Sequence, residues 1–265
     1  MATVAQRYFA ATDQRLRSVE PTWWGAVVTD ERFPDVYDLN YARVTTSSPD
    51  LVLGDVLAEL RPALQRTGSR HVQIVVLDHG GAPRLVEQAT AAGLRLSTDS
   101  VMELRRNAPA SNAEDDPRVE EADPGAPEFA DLLRRAYREF EVTQEHVVEQ
   151  LLRWNREILA PSGRRYFVVR MDGDVAGTGA FHLAGGVAYV DDIVTFAAYR
   201  RRGIASGIVR RLIREAAASG AEATFLLADQ PGPIRLYRSL GFEETGTVHG
   251  LLGGIGAISG PAAPA

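Results

Sequence analysis

Three consecutive arginines, Arg200, Arg201 and Arg202, run into Gly203, Ile204, Ala205, Ser206 and Gly207 in a chain whose formal net charge is −6. No acidic side chain lies between Asp192 and Glu215, while Arg210, Arg211 and Arg214 extend the positive run. Bare backbone at Gly203 and a small side chain at Ala205 let an anion approach main-chain N–H groups. Each arginine contact to a phosphate adds a charge-assisted hydrogen bond of roughly 1.5–3 kcal/mol. These residue types in this order suit phosphate binding. A solvated basic helix start would carry the same charges, so the flanking elements decide.

Those elements are a strand before the arginines and a helix after them. Val187–Val194 reads as a strand, and residues 203–218 carry a helical apolar stripe of Ile204, Ile208, Leu212, Ile213 and Ala216. The first turn of a helix leaves backbone N–H groups unpaired, and its dipole favours negative charge there. Upstream, helical spacing is predicted over 127–138 and 143–158, followed by strands at 166–171 and 175–183. Downstream, Ala223–Ala228 is an apolar run of the kind found in buried central strands, and a short helix over 233–240 stops at Gly241. The predicted order is two helices, a β-meander, then β-α-β-α-β, which makes an α/β (α+β) fold.

On this order, Arg200, Gly203 and Ala205 resemble motif A of the GNAT family of N-acetyltransferases, Arg/Gln-x-x-Gly-x-Gly/Ala between a strand and a long helix. The stretch Ile234-Arg235-Leu236-Tyr237-Arg238-Ser239-Leu240-Gly241-Phe242 resembles the family's motif B. The resemblance spans residues 118–250. It implies acetyl-CoA as co-substrate, with no metal, and a pyrophosphate cradled by the backbone from Arg201 to Ala205. It further implies cofactor contacts at Ile193, Val194, Thr195, Arg200, Arg201, Arg202, Gly203, Ile204, Ala205, Ser206, Gln230 and Tyr237. Two departures stand out: Ala197 replaces a frequent proline, and Gln230 replaces a frequent asparagine.

The resemblance also implies direct attack by an amine on the thioester in a ternary complex, so the absence of cysteine is no obstacle. Tyr237 stands where the family's general acid often lies, although a packed aromatic on an amphipathic helix would occupy the same position. Tyr189 takes the register of the family's usual basic glutamate. Asp191, two residues on, shares its face. Asp191 is therefore the candidate base, or a charge that attracts a cationic amine. Asp192 would join it only if a bulge intervenes. Glu139, Glu141 and a water chain are further candidates, and His182 reads as a partly buried structural histidine.

The remainder of the chain bounds the reading. At 265 residues, 45% hydrophobic and 24% charged, it suits one large domain or two ordinary ones. The acidic balance argues against nucleic acid as a partner. No signal-like segment or 18-residue apolar run is present, which points to a cytoplasmic protein without a membrane partner, as a monomer or homodimer. Polar, proline-bearing residues 107–117 read as a linker, and 251–265 as a flexible tail. Residues 1–106 repeat the pattern in muted form. A constant offset of 151 positions lays Val76–Val86 on Leu227–Tyr237 without a gap. The same offset puts Asp50 under Arg201, Val52 under Gly203 and Val86 under Tyr237, and Asp50 reads as the N-cap of its helix. The expectation is two GNAT-like domains in tandem, each a mixed, mostly antiparallel sheet flanked by helices, with no cofactor site in the first. The function expected is N-acetyl transfer to a small-molecule or amino-acid-like amine. A protein lysine or N-terminal acetyltransferase is the near variant, and an acyl-CoA-binding sensor the alternative.

Overall fold

The computed structural model of the chain describes residues 2–77, 80, 82–105 and 116–258. Along the chain lie α1 (Val4–Asp13), β1 (Ser18–Thr22), β2 (Gly25–Thr29), β3 (Tyr41–Val44), α2 (Leu53–Thr67), β4 (His71–Val76) and α3 (Pro83–Ala91). Then follow β5 (Arg95–Leu104), β6 (Val119–Ala122), α4 (Phe129–Glu139), α5 (Glu145–Trp154), β7 (Arg165–Met171), β8 (Asp174–Ala184) and β9 (Val187–Thr195). The chain ends with α6 (Ile204–Ala218), β10 (Ala223–Ala228), α7 (Pro231–Ser239) and β11 (Phe242–Gly254). Two compact units result: Phe9–Ser100 with Gly246–Ala265, and Met1–Tyr8 with Val101–Thr245.

This division differs from the one expected of the sequence, because β5 and β11 each contribute to both units. Residues 251–254, expected in a flexible tail, continue β11. Leu251 pairs with Ile74 and Gly254 with His71, and Leu251 is fully buried. Its neighbours Gly250, Gly253 and Gly254 dilute the apolar alternation by which a strand is recognised. Residues 107–115 of the expected linker, 259–265 of the tail, and Asp78, His79 and Gly81 of the aligned stretch lie outside the described residues.

In the unit holding the arginines, β6, β7, β8 and β9 pair antiparallel and β9 pairs parallel with β10. The parallel pair requires a crossover, which α6 supplies. One face of this sheet packs Ile204, Ile208, Leu212, Ile213 and Ala216 of α6, with Tyr237 and Leu240, against Phe167, Val169, Phe181 and Val190. The other packs Phe129, Leu132, Leu133, Ala136 and Tyr137 of α4 against Tyr166, Val168, Ala180 and Val194.

The other unit repeats that grammar. β1, β2 and β3 are antiparallel, β3 and β4 are parallel with α2 between them, and β11 closes antiparallel on β4. Its core gathers Val56, Leu57, Leu60 and Leu64 of α2 over Ala42, Val44, Ile74 and Val76. The 151-position offset carries Leu53–Thr67 of α2 onto Ile204–Ala218 of α6, end to end. Both units are thus mixed, largely antiparallel sheets flanked by helices.

Candidate active site

The arginine stretch forms the connection from β9 to α6. Ala197–Tyr199 make one turn of 3-10 helix, and Arg200 is extended. Arg201 then takes a left-handed conformation at φ 63°, and Gly203, the N-cap of α6, another at φ 76°. No side chain among the described residues caps α6. The first helical bond is the one Gly207 N–H donates to the Gly203 carbonyl at 3.0 Å, so among the described residues the preceding N–H groups of the turn are left for another acceptor. Left-handed residues in such a turn direct successive N–H groups into one concavity, an arrangement that binds anions. A non-glycine residue in this conformation costs roughly 1–3 kcal/mol, and Arg201 carries that strain.

The three arginines divide in role. Arg200 donates from Nη2 to Glu139 at 2.8 Å and from Nε to the Thr195 carbonyl at 3.2 Å. It thereby ties the turn to the end of α4 and engages one of the candidate bases. Glu141, another, lies in the loop after α4 in a left-handed conformation. Arg202 lies over the Tyr199 ring at 5.7 Å. Neither Arg201 nor Arg202 has an ion pair among the described residues, so both are available to a ligand.

β9 opens beside this turn. Its parallel pairing with β10 runs from Val187 and Ala223 to Tyr189 and Phe225, whereas β9 itself continues to Thr195 against β8. Within β9 the register to β8 shifts by one: Asp191 faces Ala180 and Val194 faces Thr178, so Asp192 and Ile193 together oppose Gly179. This is a β-bulge, and Asp192 sits in it at φ 51°. The Thr195 hydroxyl oxygen at the strand end is buried without a partner among the described residues. Ile204 is buried in the core, while Ala205 and Ser206 of the same turn are half-buried.

The bulge brings both aspartates to one guanidinium. Arg164 donates from Nη1 and Nη2 to the two oxygens of Asp191, at 3.0 and 2.7 Å, and from Nη2 to Asp192 Oδ2 at 2.6 Å. Burial works against the Arg164 charge, but Asp191 outweighs it with help from Asp192, and the guanidinium stays charged. Asn155, buried at the start of a π-helical turn over Asn155–Leu159, accepts a hydrogen bond from the Tyr166 hydroxyl. Burial holds the phenols of Tyr137 and Tyr166 protonated. Nothing in the sequence pattern singles out Arg164 or Asn155; the available signal is a dibasic pair opening a strand. A π-turn is itself frequent near functional sites.

Tyr237 lies on α7 with its ring in the core, edge-on to Phe242 at 6.1 Å between centroids. Its hydroxyl has no hydrogen-bond partner among the described residues, and burial pushes its pKa up to about 12. It is therefore protonated at neutral pH and able to donate. Gln230 is the N-cap residue of α7, and its side chain bonds Asp229 at 3.1 Å instead of capping. Tyr189 stacks on Phe225 at 4.8 Å. His182 is fully buried, not partly so, with Nδ1 on the Tyr8 hydroxyl and Nε2 on Ser162.

The corresponding turn of the other unit is closed from within. Asp50 is not the N-cap of α2, which begins at Leu53 after an extended Val52. Asp55 accepts the Val52 N–H at 3.2 Å and Gln88 accepts the Leu53 N–H at 2.9 Å. Asp50 instead pairs with Arg84 at 3.5 Å on the surface. A side chain that reaches back from inside the first turn satisfies donors that an anion would otherwise take.

A mixed sheet that opens where one strand delivers an uncapped helix N-terminus defines an α/β fold suited to a phosphorylated ligand. Residues 126–242 match the model of the acetyltransferase (GNAT) family. Among solved structures, a GCN5-related N-acetyltransferase from Kribbella flavida is 20% identical, over 96% of both chains, with a TM-score of 0.64. A functionally unknown conserved protein from Staphylococcus epidermidis is 12% identical over 86% of this chain and 89% of its own, with a TM-score of 0.65. A tandem GNAT protein from the clavulanic acid biosynthesis pathway is 16% identical over 79% and 70%, with a TM-score of 0.54. At these identities the likeness is one of fold, and it extends to the tandem arrangement. No curated protein matches the chain. The family match covers residues 126–242, less than half of the chain. No helix among the described residues is long and apolar enough to cross a membrane.

Proposed function

We propose that this chain transfers the acetyl group of acetyl-CoA to the amine of a small-molecule or amino-acid-like acceptor. The observation that carries the reading is the strained, uncapped turn from Arg201 to Gly203 at the open end of β9. Its N–H groups and the side chains of Arg201 and Arg202 would hold the pyrophosphate, with Arg200 fixing the turn. The unpaired edge of β9 from Ile193 to Thr195, with the unpartnered Thr195 hydroxyl, would hold the amide arm of the coenzyme. The thioester would then lie between the bulge and Tyr237. Coenzyme A supplies a thiolate leaving group, and the chain's own residues handle the protons. The bulge carboxylates receive the acceptor amine. Tyr237 donates a hydrogen bond to the sulfur as the C–S bond weakens.

With a pKa of about 12, Tyr237 is a weaker acid than a thiol, whose ordinary pKa is about 8.5. Its role is therefore to stabilise the departing sulfur by hydrogen bonding and to relay solvent protons to it. A second reading, a sensor that binds acyl-CoA without turnover, is favoured by the packing of the Tyr237 ring in the core. Thiol release from acetyl-CoA over a panel of amines separates the two. The enzyme releases thiol only when an acceptor is present. Tight acetyl-CoA binding with no release over any amine would establish the sensor.

A further inference from the structure

A groove of about 700 Å³ opens between the first half of α4 and the second half of α5. Pockets of roughly 300–1,000 Å³ hold small organic ligands. Its floor is apolar, made by the edges of Phe129 and Leu133 from α4 and by Leu152 from α5. The π-turn closes its end: Ala160 N–H donates to the Asn155 carbonyl at 2.9 Å, and both residues line the groove. Such a widened turn recurs at functional sites. The groove is separate from the cofactor turn. Glu139, at the other end of α4, meets Arg200, and the helical rise from Phe129 to Glu139 is about 15 Å. Toward the bulge of β9 stand buried side chains, Asn155 bonded to Tyr166 and the Tyr166 ring facing Arg164.

The charges around the groove are uneven. Among the described residues its charged lining is three guanidinium groups, Arg134, Arg153 and Arg156, against one carboxylate, Glu149. Arg134 engages Glu149. Arg153 Nε and Arg156 Nη2 both reach the same oxygen of Glu157, at 3.4 and 3.5 Å. Charge-assisted bonds at full strength are about 2.7–2.9 Å, so one carboxylate oxygen is stretched between two cations. Arg156 has no other ion pair among the described residues, and its side chain is 74% exposed. Residues three apart on a helix are neighbours on one side of it, so Arg153 and Arg156 face a ligand together. An apolar trough with two such arginines at its mouth complements a hydrocarbon body with one anionic head. We propose that this groove binds an amphipathic monocarboxylate, its hydrocarbon on Phe129, Leu133 and Leu152 and its carboxylate accepting from Arg153 and Arg156. The site is independent of the acyl-transfer reading, and no bond is made or broken in it. The two arginines repel a cationic head, and a neutral alcohol offers them no charge.

The test is titration calorimetry of the full chain, with and without acetyl-CoA, against octanoate, 1-octanol and trimethyloctylammonium. These probes share one hydrocarbon, and none carries an amine that can be acetylated. Octanoate should bind once per chain and ~10-fold or more tighter than 1-octanol, as a charge-assisted contact implies, with trimethyloctylammonium weakest. Acetyl-CoA should leave that affinity unchanged. Arg156→Gln should weaken octanoate by ~10-fold and leave 1-octanol as it was. Ala130→Trp, at an exposed position of α4 that lines the groove, should fill it and abolish both, with Tm held. Should Ala130→Trp fail to fold, Arg156→Gln alone decides. No octanoate binding, equal affinity for octanoate and trimethyloctylammonium, binding unmoved by Arg156→Gln, or displacement by acetyl-CoA would overturn the proposal. Sedimentation tests the other occupant: a dimer that octanoate leaves intact and Ala130→Trp dissociates would assign the groove to a second copy of the chain and overturn the carboxylate.

Discussion

Gly203 is where the phosphate reading is most exposed to test. It sits at φ 76°, and a Cβ built there meets no atom within 4 Å. Gly220, at the far end of α6, has φ 81° and the same open surroundings. Gly203→Ala and Gly220→Ala should therefore cost the fold the same amount, roughly 1–2 kcal/mol of left-handed strain, seen as equal falls of a few degrees in Tm. Only Gly203 stands in the anion turn. Gly203→Glu adds a carboxylate about 5 Å from a bound phosphate, a repulsion between ~0.8 kcal/mol in water and ~3 kcal/mol near a protein surface. Blocking one backbone N–H contact adds roughly 1.5–3 kcal/mol. The smaller values already sum to about 2.3 kcal/mol, a loss of ~50-fold in acetyl-CoA affinity. Titration calorimetry on the folded variants reads it directly. A Gly203→Glu protein that binds acetyl-CoA as tightly as the parent would refute the reasoning, whatever its stability.

Further outcomes follow from the same geometry. Tyr237→Phe keeps the ring against Phe242, so Tm should hold while the single-turnover rate falls by about 10²-fold; a change below about threefold would assign Tyr237 to packing alone. Each chain should take up one acetyl-CoA in native mass spectrometry, because the α2 turn is capped by Asp55 and Gln88; a second stoichiometric ligand that survives Gly203→Glu would contradict this. Burial raises the Glu215 carboxyl, but Arg165 and Arg211 outweigh it and hold its pKa below the ordinary glutamate value. A depressed carboxyl stabilises the fold above its unfolded pKa and loses that contribution as pH falls through the folded value. The parent should therefore lose stability below about pH 4.5 more steeply than Glu215→Gln, as read from urea midpoints against pH.

Much of the site is legible in the sequence, because it depends on local signals. The β9–turn–α6 connection announces itself by Gly203, by six arginines and by the apolar stripe from Ile204 to Ala216, and Ala223–Ala228 forms the strand its composition predicts. What escapes such a reading is non-local or conformational. Arg164 meets Asp191 across 27 residues, and only the register shift at Asp192 brings both carboxylates to it. The π-turn that buries Asn155 leaves no mark in a helical periodicity. Asp50 has the right residue type for an N-cap, yet Asp55 within the helix satisfies the Val52 N–H. The passage of β5 and β11 between units leaves no mark in residue alternation.

The most direct measurement is the mass of the acceptor after incubation of the full chain with acetyl-CoA carrying a doubly carbon-13-labelled acetyl group and an equimolar alkylamine mixture. One or more amines should gain the labelled acetyl group with the parent and none with Gly203→Glu, in step with thiol release. Labelled acetyl-CoA that stays bound and intact beside unmodified amines would contradict acyl transfer at this site.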